Sequence, residues 1–310
     1  MKKLISIILY FVLIVVTNVV KAQSLSIYNI YSFEKNKNDK IGFISLTDVY
    51  PWSQSADSLV IADQHLGGSK TKNDNYHQLS PKHRKQFLHR MKIEETDRIF
   101  IYNLSSNTLL TRKVKSTTVA AHLSVYADNT EISEYDYMIG FEIPEISLKN
   151  FGDYFFNTLV YVGKQNPFIT GRIKQILWKK TEKTSFLPNK AMITFNQGAL
   201  YESIINGLHY YAQDITKTDQ TYARHLMIYD PKKNTILFDK TYTEDESAYL
   251  NPLNIGKKTN YTHAYQWTGT LFRNKPATIF GFLGHSFGCP HIEFISKSEP
   301  SIRLKCDNRH

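Results

Sequence analysis

Residues 225–237 read HLMIYDPKKNTIL, and this stretch carries the pattern that decides the fold. An apolar run is followed by a turn built on Asp230 and Pro231 and then by a second run, which predicts a β-hairpin. Residues 98–110, RIFIYNLSSNTLL, align with it without a gap. The two stretches predict two similar hairpins and favour a duplicated β-rich module, although hairpins of similar composition also recur in unrelated β proteins.

Short β-type runs dominate the rest of the chain. They are rich in β-branched and aromatic residues, and many end in Asn, Asp, Gly or Pro, as strands before turns do. They lie at residues 41–46, 98–102, 138–143, 158–162, 173–178, 225–229, 236–238 and 278–283. We expect an α+β fold that is predominantly antiparallel β with a few helices, because few helical segments separate the runs.

Two segments are typical of helices. Ser80 and Pro81 precede residues 82–93, which predicts an N-cap, a proline at the first helical position and a basic amphipathic helix. Residues 196–212 predict a second helix, because their apolar side chains recur at spacings of three and four: Leu200, Ile204, Ile205 and Leu208.

A charged segment at residues 179–190, closed by Pro188, is the best candidate for a domain boundary. It separates a predicted N-terminal β-rich module at residues 23–180 from a C-terminal module at residues 190–310. With 42% hydrophobic and 13% aromatic residues, the chain can bury a sizeable core. We therefore expect one large domain or two smaller ones.

The first 22 residues have the features of a cleaved secretory signal peptide. Lys2 and Lys3 precede an apolar run that extends to Val20, and small residues lie at the predicted cleavage site near Ala22. No cysteine follows Ala22 to carry a lipid. A retained anchor is the alternative, since an apolar run of about 17 residues is near the lower limit for a membrane span. We expect a periplasmic or secreted protein with no stable membrane span after cleavage.

Removal of the signal peptide lowers the formal net charge from +10 to +7, because three lysines leave with it. A moderately basic exported protein suits peptidoglycan or another acidic envelope polymer, or a protein partner. There is no long basic block and no nucleic-acid motif, so we do not expect nucleic acid as a partner. No phosphate loop, dinucleotide fingerprint or EF-hand loop is present, and we expect no cofactor.

Residues 284–291, GHSFGCPH, form the stretch that is densest in reactive side chains. Its first five residues fit Gly-x-Ser-x-Gly, the nucleophile elbow of α/β-hydrolases. In that fold the acid and the histidine follow the serine across several βα units, but only 24 residues follow Ser286. The position of the motif therefore disfavours a serine hydrolase.

Residues 286–290, SFGCP, resemble the nucleophile turn of the L,D-transpeptidases, the cysteine enzymes that cross-link or trim peptidoglycan. The family motif reads Ser-x-Gly-Cys, and Ser286, Gly288 and Cys289 match its fixed positions. Phe287 stands where most members have histidine. The resemblance implies that Cys289 is the nucleophile and that backbone N–H groups at Gly288 and Cys289 hold the oxyanion.

The same resemblance implies a histidine base from an upstream strand. His263 lies 26 residues before Cys289 and is the matching candidate. A neighbouring histidine would lower the pKa of the thiol and remove its proton. His285 or His291 would then orient the base or bind substrate, and the product of attack would be a thioester to a peptidoglycan stem peptide.

A disulfide is the structural alternative for Cys289. Cys289 and Cys306 are the two cysteines of the chain, they lie 17 positions apart, and disulfides are common in exported proteins. Such a bridge would stabilise the folded protein by about 3 kcal/mol, because it reduces the conformational entropy of the unfolded chain. An oxidised Cys289 could not act as a nucleophile.

Two further interpretations stay open. A zinc site would use five histidines and cysteines of the last segment: His285, Cys289, His291, Cys306 and His310. Their spacing matches no zinc-binding family and oxidation competes for the thiols, so we predict no metal. The three tryptophans, Trp52, Trp178 and Trp267, and the 20 tyrosines could line a groove for a glycan or a peptide. Alternatively, they pack in the core. The second function class is therefore a non-catalytic secreted binding, inhibitor or immunity protein with a Cys289–Cys306 disulfide.

Overall fold

The computed structural model describes residues 25–36, 39–47, 76–124, 136–144, 147–148, 157–182, 197–217, 220–256 and 265–306. The predicted signal peptide lies outside these residues, and so do His263, His310 and Trp52. None of the helices in the described ranges is long and apolar enough to cross a membrane.

The N-terminal half forms two antiparallel sheets and one described α-helix. One sheet has the order β2-β3-β8-β7-β4 and the other the order β1-β9-β5-β6. The elements are β1 (Ile27–Tyr28), β2 (Tyr31–Asn36), β3 (Asp39–Ser45), β4 (Tyr76–Gln78), α1 (Pro81–Arg90), β5 (Arg98–Asn103), β6 (Thr108–Lys113), β7 (Val119–Leu123), β8 (Tyr137–Pro144) and β9 (Thr158–Gly163).

The C-terminal half adds three antiparallel sheets, with the orders β10-β17-β18-β20-β21, β11-β12-β13-β14-β15 and β16-β19. The elements are β10 (Ile173–Gln175), β11 (Lys179–Thr181), β12 (Gln197–Ile205), β13 (Leu208–Lys217), β14 (Gln220–Asp230), β15 (Thr235–Thr243), β16 (Ala248–Leu250), β17 (Trp267–Gly269), β18 (Thr278–Phe280), β19 (Leu283–His285), β20 (His291–Phe294) and β21 (Ile302–Arg303). The predicted β-rich α+β class is confirmed.

Three large hydrophobic clusters connect the sheets of the described residues, and a fourth, small one lies on β12, β13 and β14. In β5, Ile99 and Ile101 face a core under helix α1, whereas Phe100 and Tyr102 face a core shared with the C-terminal half. This follows from the alternation of side chains along a strand. The third core packs β13 and β14 against Ile279 and Phe282. The middle core therefore joins the two predicted modules.

Two strands at the predicted boundary pair with the C-terminal half: β10, which precedes residues 179–190, and β11, which lies within them. Strand β10 pairs with β17, and β11 pairs with β12. Residues 183–190 of the predicted linker lie outside the described ranges. In the described part, the change from N-terminal to C-terminal sheets thus falls between β9 and β10.

Helix α1 begins where the sequence predicts it. The Ser80 hydroxyl accepts from the His83 backbone N–H at 3.4 Å, and Pro81 opens the helix. Phe87 and Leu88 are buried beneath it. On its flank, Arg84 holds both carboxylate oxygens of Glu95 at 2.8 Å, which fixes the helix to the loop before β5.

The second predicted helix, at residues 196–212, is wrong. The segment forms strands β12 and β13, joined by Asn206 and Gly207 with φ values of 54° and 79°. An Asn-Gly pair in that conformation makes a two-residue hairpin turn that matches the twist of the strands. Leu200 and Ile204 are four residues apart, so they share one face of a strand as readily as one face of a helix.

Both predicted hairpins are present and have the same turn chemistry. In β5–β6 the Tyr102 hydroxyl donates to Oδ1 of Asn107 at 2.6 Å, and in β14–β15 the Tyr229 hydroxyl donates to Oδ1 of Asn234 at 2.7 Å. Both asparagines have positive φ, 53° and 51°. The hairpins are confirmed, and the duplication of a whole module stays a prediction.

The first described strand, β1, meets the segment that follows the last one, β21. The Lys305 backbone N–H donates to the Ile27 carbonyl at 2.6 Å, and Tyr28 forms a parallel bridge with Lys305. This contact lies beside the middle core, to which Ile27 and Leu304 both contribute. The C-terminal segment therefore closes the junction between the two halves.

Candidate functional site

The reactive octapeptide forms a strand, a turn and the start of another strand. His285 ends β19 and His291 begins β20, so the turn lies at residues 286–290. The backbone N–H groups of Ser286 and Phe287 both donate to the Ser247 carbonyl, at 2.9 Å and 3.2 Å. The turn is thereby fixed to the loop before β16.

Cys289 and Cys306 form a disulfide, with their Cα atoms 5.7 Å apart. Both residues are buried, at 2% and 8% exposure. The predicted disulfide is confirmed. In this state the Cys289 sulfur is bonded and holds no thiolate, so Gly288 and Ser286 flank a structural bridge.

The other predicted catalytic and metal-binding groups are not assembled in the described structure. His263, the predicted base, and His310, a possible ligand, lie outside it. Among the described residues, no group of three histidine, cysteine or carboxylate side chains could hold a metal ion. The disulfide also takes both thiols out of any such set.

A cleft of about 530 Å³ opens beside the octapeptide. Gly284, His285, Pro290 and His291 line one wall, and the N-terminal half contributes residues from the ends of its strands: Asn29, Ile30, Tyr31, Leu104, Thr158 and Leu159. Aromatic side chains make up much of the remaining surface: Tyr242, Tyr249, Tyr265, Trp267, Phe280 and Phe282. Of the other tryptophans, Trp178 is buried in the third core.

A glycine brings one aromatic ring onto the cleft wall. Tyr249 lies opposite Gly284 in the β16–β19 ladder and is 50% exposed. A Cβ atom at position 284 would lie 2.3 Å from the tyrosine ring. Because glycine has no side chain, the ring can lie across the strand and present its other face to the cleft.

A carboxylate anchors the polar part of the cleft. The Lys240 ammonium and the Tyr242 hydroxyl each donate to one oxygen of Glu293. Burial, followed by the neighbouring Glu293 charge, holds the pKa of Tyr242 well above its usual value. The Tyr242 ring stacks on Phe282 with ring centroids 5.1 Å apart. This network fixes Lys240 beside the cleft.

The two histidines of the octapeptide both have lowered pKa values. For His285 the main cause is burial, followed by His291, while Asp245 acts in the opposite direction. For His291 the causes are burial and then the Arg303 and Lys240 charges, opposed by Glu293. Both imidazoles are therefore neutral near pH 7 in the ligand-free protein.

The sequence had indicated His285 and His291 as binding residues, and the structure places both on the cleft wall. It had not indicated Lys240, Tyr242 or Glu293. Lys240 and Tyr242 lie two residues apart on β15 and so share a face, which is the one local signal they carry. Their partner Glu293 lies on β20, and nothing in the sequence links the two strands.

Comparison with known proteins does not add a relative. Neither a family model, nor a curated protein, nor a solved structure matches the chain.

Proposed function

We propose that the protein is a non-catalytic, exported binding protein of the cell envelope, whose cleft takes a sugar-bearing fragment of peptidoglycan or of a similar acidic polymer. The carrying observation is the aromatic cleft of about 530 Å³ beside a disulfide-bonded Cys289. The proposal thus assigns the octapeptide to the wall of a binding site.

The size and lining of the cleft support a ligand of one or two rings. Small-molecule sites commonly measure roughly 300–1,000 Å³ and combine an apolar lining with a few fixed polar groups. Tyr249, which is 50% exposed, supplies a ring face, and Lys240 with Glu293 supplies fixed polar groups. A sugar ring offers both the flat apolar face and the hydroxyls that such a lining can hold.

The state of the cysteines supports binding over covalent catalysis. A cysteine nucleophile attacks as a thiolate. The Cys289 sulfur is bonded to Cys306, and Cys289 is 2% exposed. The transpeptidase resemblance stays a prediction that requires a reduced Cys289. The disulfide is also compatible with the oxidising compartment that the predicted signal peptide indicates.

Binding of soluble peptidoglycan fragments to the purified native protein tests the proposal. Isothermal titration with a muropeptide digest should give saturable binding without turnover. Tyr249→Ala should weaken it about tenfold or more, as expected when an anchoring aromatic contact worth about 1.4 kcal/mol is removed. Ile204→Ala is the control, because Ile204 is 60% exposed and does not line the cleft.

Two results would decide against the proposal. If the native protein and Tyr249→Ala bind muropeptides with equal affinity, the cleft is not the binding site. Appearance of cross-linked or trimmed muropeptides after reduction of the disulfide, and their loss in Cys289→Ser, would favour the transpeptidase instead.

A further inference from the structure

We propose that the cleft recognises an oxyanion of its ligand, a carboxylate or a phosphate, through His285, His291, Lys240 and Arg303, and that ligand binding draws protons onto the two histidines. This inference rests on the proposed function and names the chemical group that the site selects. It assigns a role to His285, His291 and Arg303, which the binding proposal leaves unused.

Four strands bring the cationic groups together. Lys240 lies on β15, His285 ends β19, His291 begins β20 and Arg303 ends β21. His291 and Arg303 are direct partners in the β20–β21 ladder, so they are neighbours across the two strands. Lys240, His285 and His291 line the cleft. Arg303 is not among its lining residues, but its charge acts on both histidines, as that of Lys240 acts on His291.

The carboxylates of this region are already engaged. One oxygen of Glu293 accepts from Lys240 and the other from Tyr242. Asp245 accepts from the backbone N–H and hydroxyl of Ser247, both at 2.7 Å, and from the Ala248 N–H at 2.8 Å. Both acids are therefore held by their own donors.

Positive charge remains after these pairs are formed. Glu293 balances Lys240, whereas Arg303 makes no ion pair with a carboxylate among the residues that the structure describes. The neighbouring histidines can each accept one more proton. An arriving oxyanion thus meets one guanidinium and two imidazoles that become donors on both ring nitrogens when they are protonated.

The histidines make the recognition dependent on pH. In the free protein, burial and the neighbouring cations disfavour their charged forms. An anion beside them has the opposite effect and raises their pKa values. By linkage, an acidic ligand binds more tightly as the pH falls through the range in which the histidines titrate, whereas a neutral ligand gains nothing.

Three sugars that differ in one group test the inference: N-acetylglucosamine, N-acetylmuramic acid and N-acetylglucosamine 6-phosphate. Histidine ring resonances in NMR titrations report both affinity and protonation. At about pH 5.5 we expect at least one acidic sugar to bind about tenfold more tightly than the neutral sugar, and the difference to shrink at about pH 7.5. If N-acetylmuramic acid shows the larger gain in affinity, the oxyanion is a carboxylate. If N-acetylglucosamine 6-phosphate shows it, the oxyanion is a phosphate.

Variants separate direct recognition from a structural effect. His291→Gln should reduce the pH dependence, and Arg303→Gln should weaken the acidic sugars at both pH values while raising the pKa of His291 in the free protein. His89→Gln is the control, because His89 lies exposed on helix α1. It should change neither the affinity for the acidic sugars nor the pH dependence of binding.

The outcomes of this experiment are distinct from those of the binding test. If all three sugars bind equally at both pH values, the oxyanion inference is overturned and the binding proposal stands. If none of them binds, the oxyanion inference is overturned, and the muropeptide titration with Tyr249→Ala decides the binding proposal separately. Tighter binding of an acidic sugar that persists unchanged in Arg303→Gln and His291→Gln would also overturn the inference.

Discussion

Arg224 lies against Asp214 inside the long hairpin sheet, with its Nε atom 2.7 Å from Oδ1 of the aspartate. The guanidinium also donates to the Asn251 carbonyl at 2.9 Å. The two side chains are 8% and 10% exposed, so the pair is almost fully removed from water. It ties β13 and β14 to the segment after β16, next to the cleft.

Asp214→Asn should lower the free energy of unfolding by about 3–5 kcal/mol, because it leaves the Arg224 charge buried without its partner. Urea unfolding of the purified protein measures this. Asp239→Asn is the control, since Asp239 is 47% exposed beside His225, and should cost less than about 1 kcal/mol. A cost for Asp214→Asn as small as that of the control would contradict the prediction.

Removal of the disulfide should destabilise the fold without unfolding it. The bridge spans 17 positions, and a loop of that length contributes about 3 kcal/mol by constraining the unfolded chain. Cys289→Ser with Cys306→Ser should lower the melting temperature, and added reductant should lower that of the native protein by a similar amount. Reductant should leave the melting temperature of the double variant unchanged. If it lowers that temperature too, the effect of reductant does not come from the disulfide.

The two hairpin turns should respond alike to the same changes. Asn107→Ala and Asn234→Ala each put alanine, which tolerates positive φ less well than asparagine, at a left-handed position and remove the acceptor of a tyrosine hydroxyl. Each should cost about 1–2 kcal/mol in urea unfolding. Asn→Gly at either position restores the backbone freedom and should recover part of that cost. If glycine is no better than alanine, the left-handed conformation is not the source of the loss.

The stability of the ligand-free protein should fall as the solution is acidified. The folded pKa values of His285 and His291 lie below the ordinary value of 6.5, so the unfolded chain binds protons first as the pH falls. Their contribution to stability is therefore complete above about pH 7.5 and is lost as the pH falls from about 6.5 through the lower folded-state pKa values. Urea unfolding across this range should show a smaller loss for His285→Gln with His291→Gln. An equal loss would assign the effect to other groups.

Much of the fold could be predicted because its signals are local. The hairpins at residues 98–110 and 225–237 carry their turn residues and strand patterns within one short segment. Helix α1 was predicted from Ser80 and Pro81, adjacent residues that cap and open it. The helix predicted at residues 196–212 was wrong because its apolar spacing also fits a strand. The Asn206–Gly207 pair in its middle is the local signal that indicates a hairpin turn there.

The cleft could be predicted only in part, because it is assembled from distant segments. His285 and His291 are close in sequence and were visible as a pair. The Lys240–Glu293 contact joins residues 53 positions apart, and the wall from Asn29 to Tyr31 comes from the other end of the chain. Such contacts depend on sheet order, which strand patterns do not specify.

The bridge between Tyr28 and Lys305 sets the order in which this chain can finish folding. Tyr28 and Lys305 are far apart in the sequence, so the middle core cannot close until the ribosome has made both. The meander from β12 to β15 joins only neighbours in sequence and can form early. On the proposed export route, this delay would help to keep the polypeptide unfolded and accessible to a translocation machinery until Lys305 has been made.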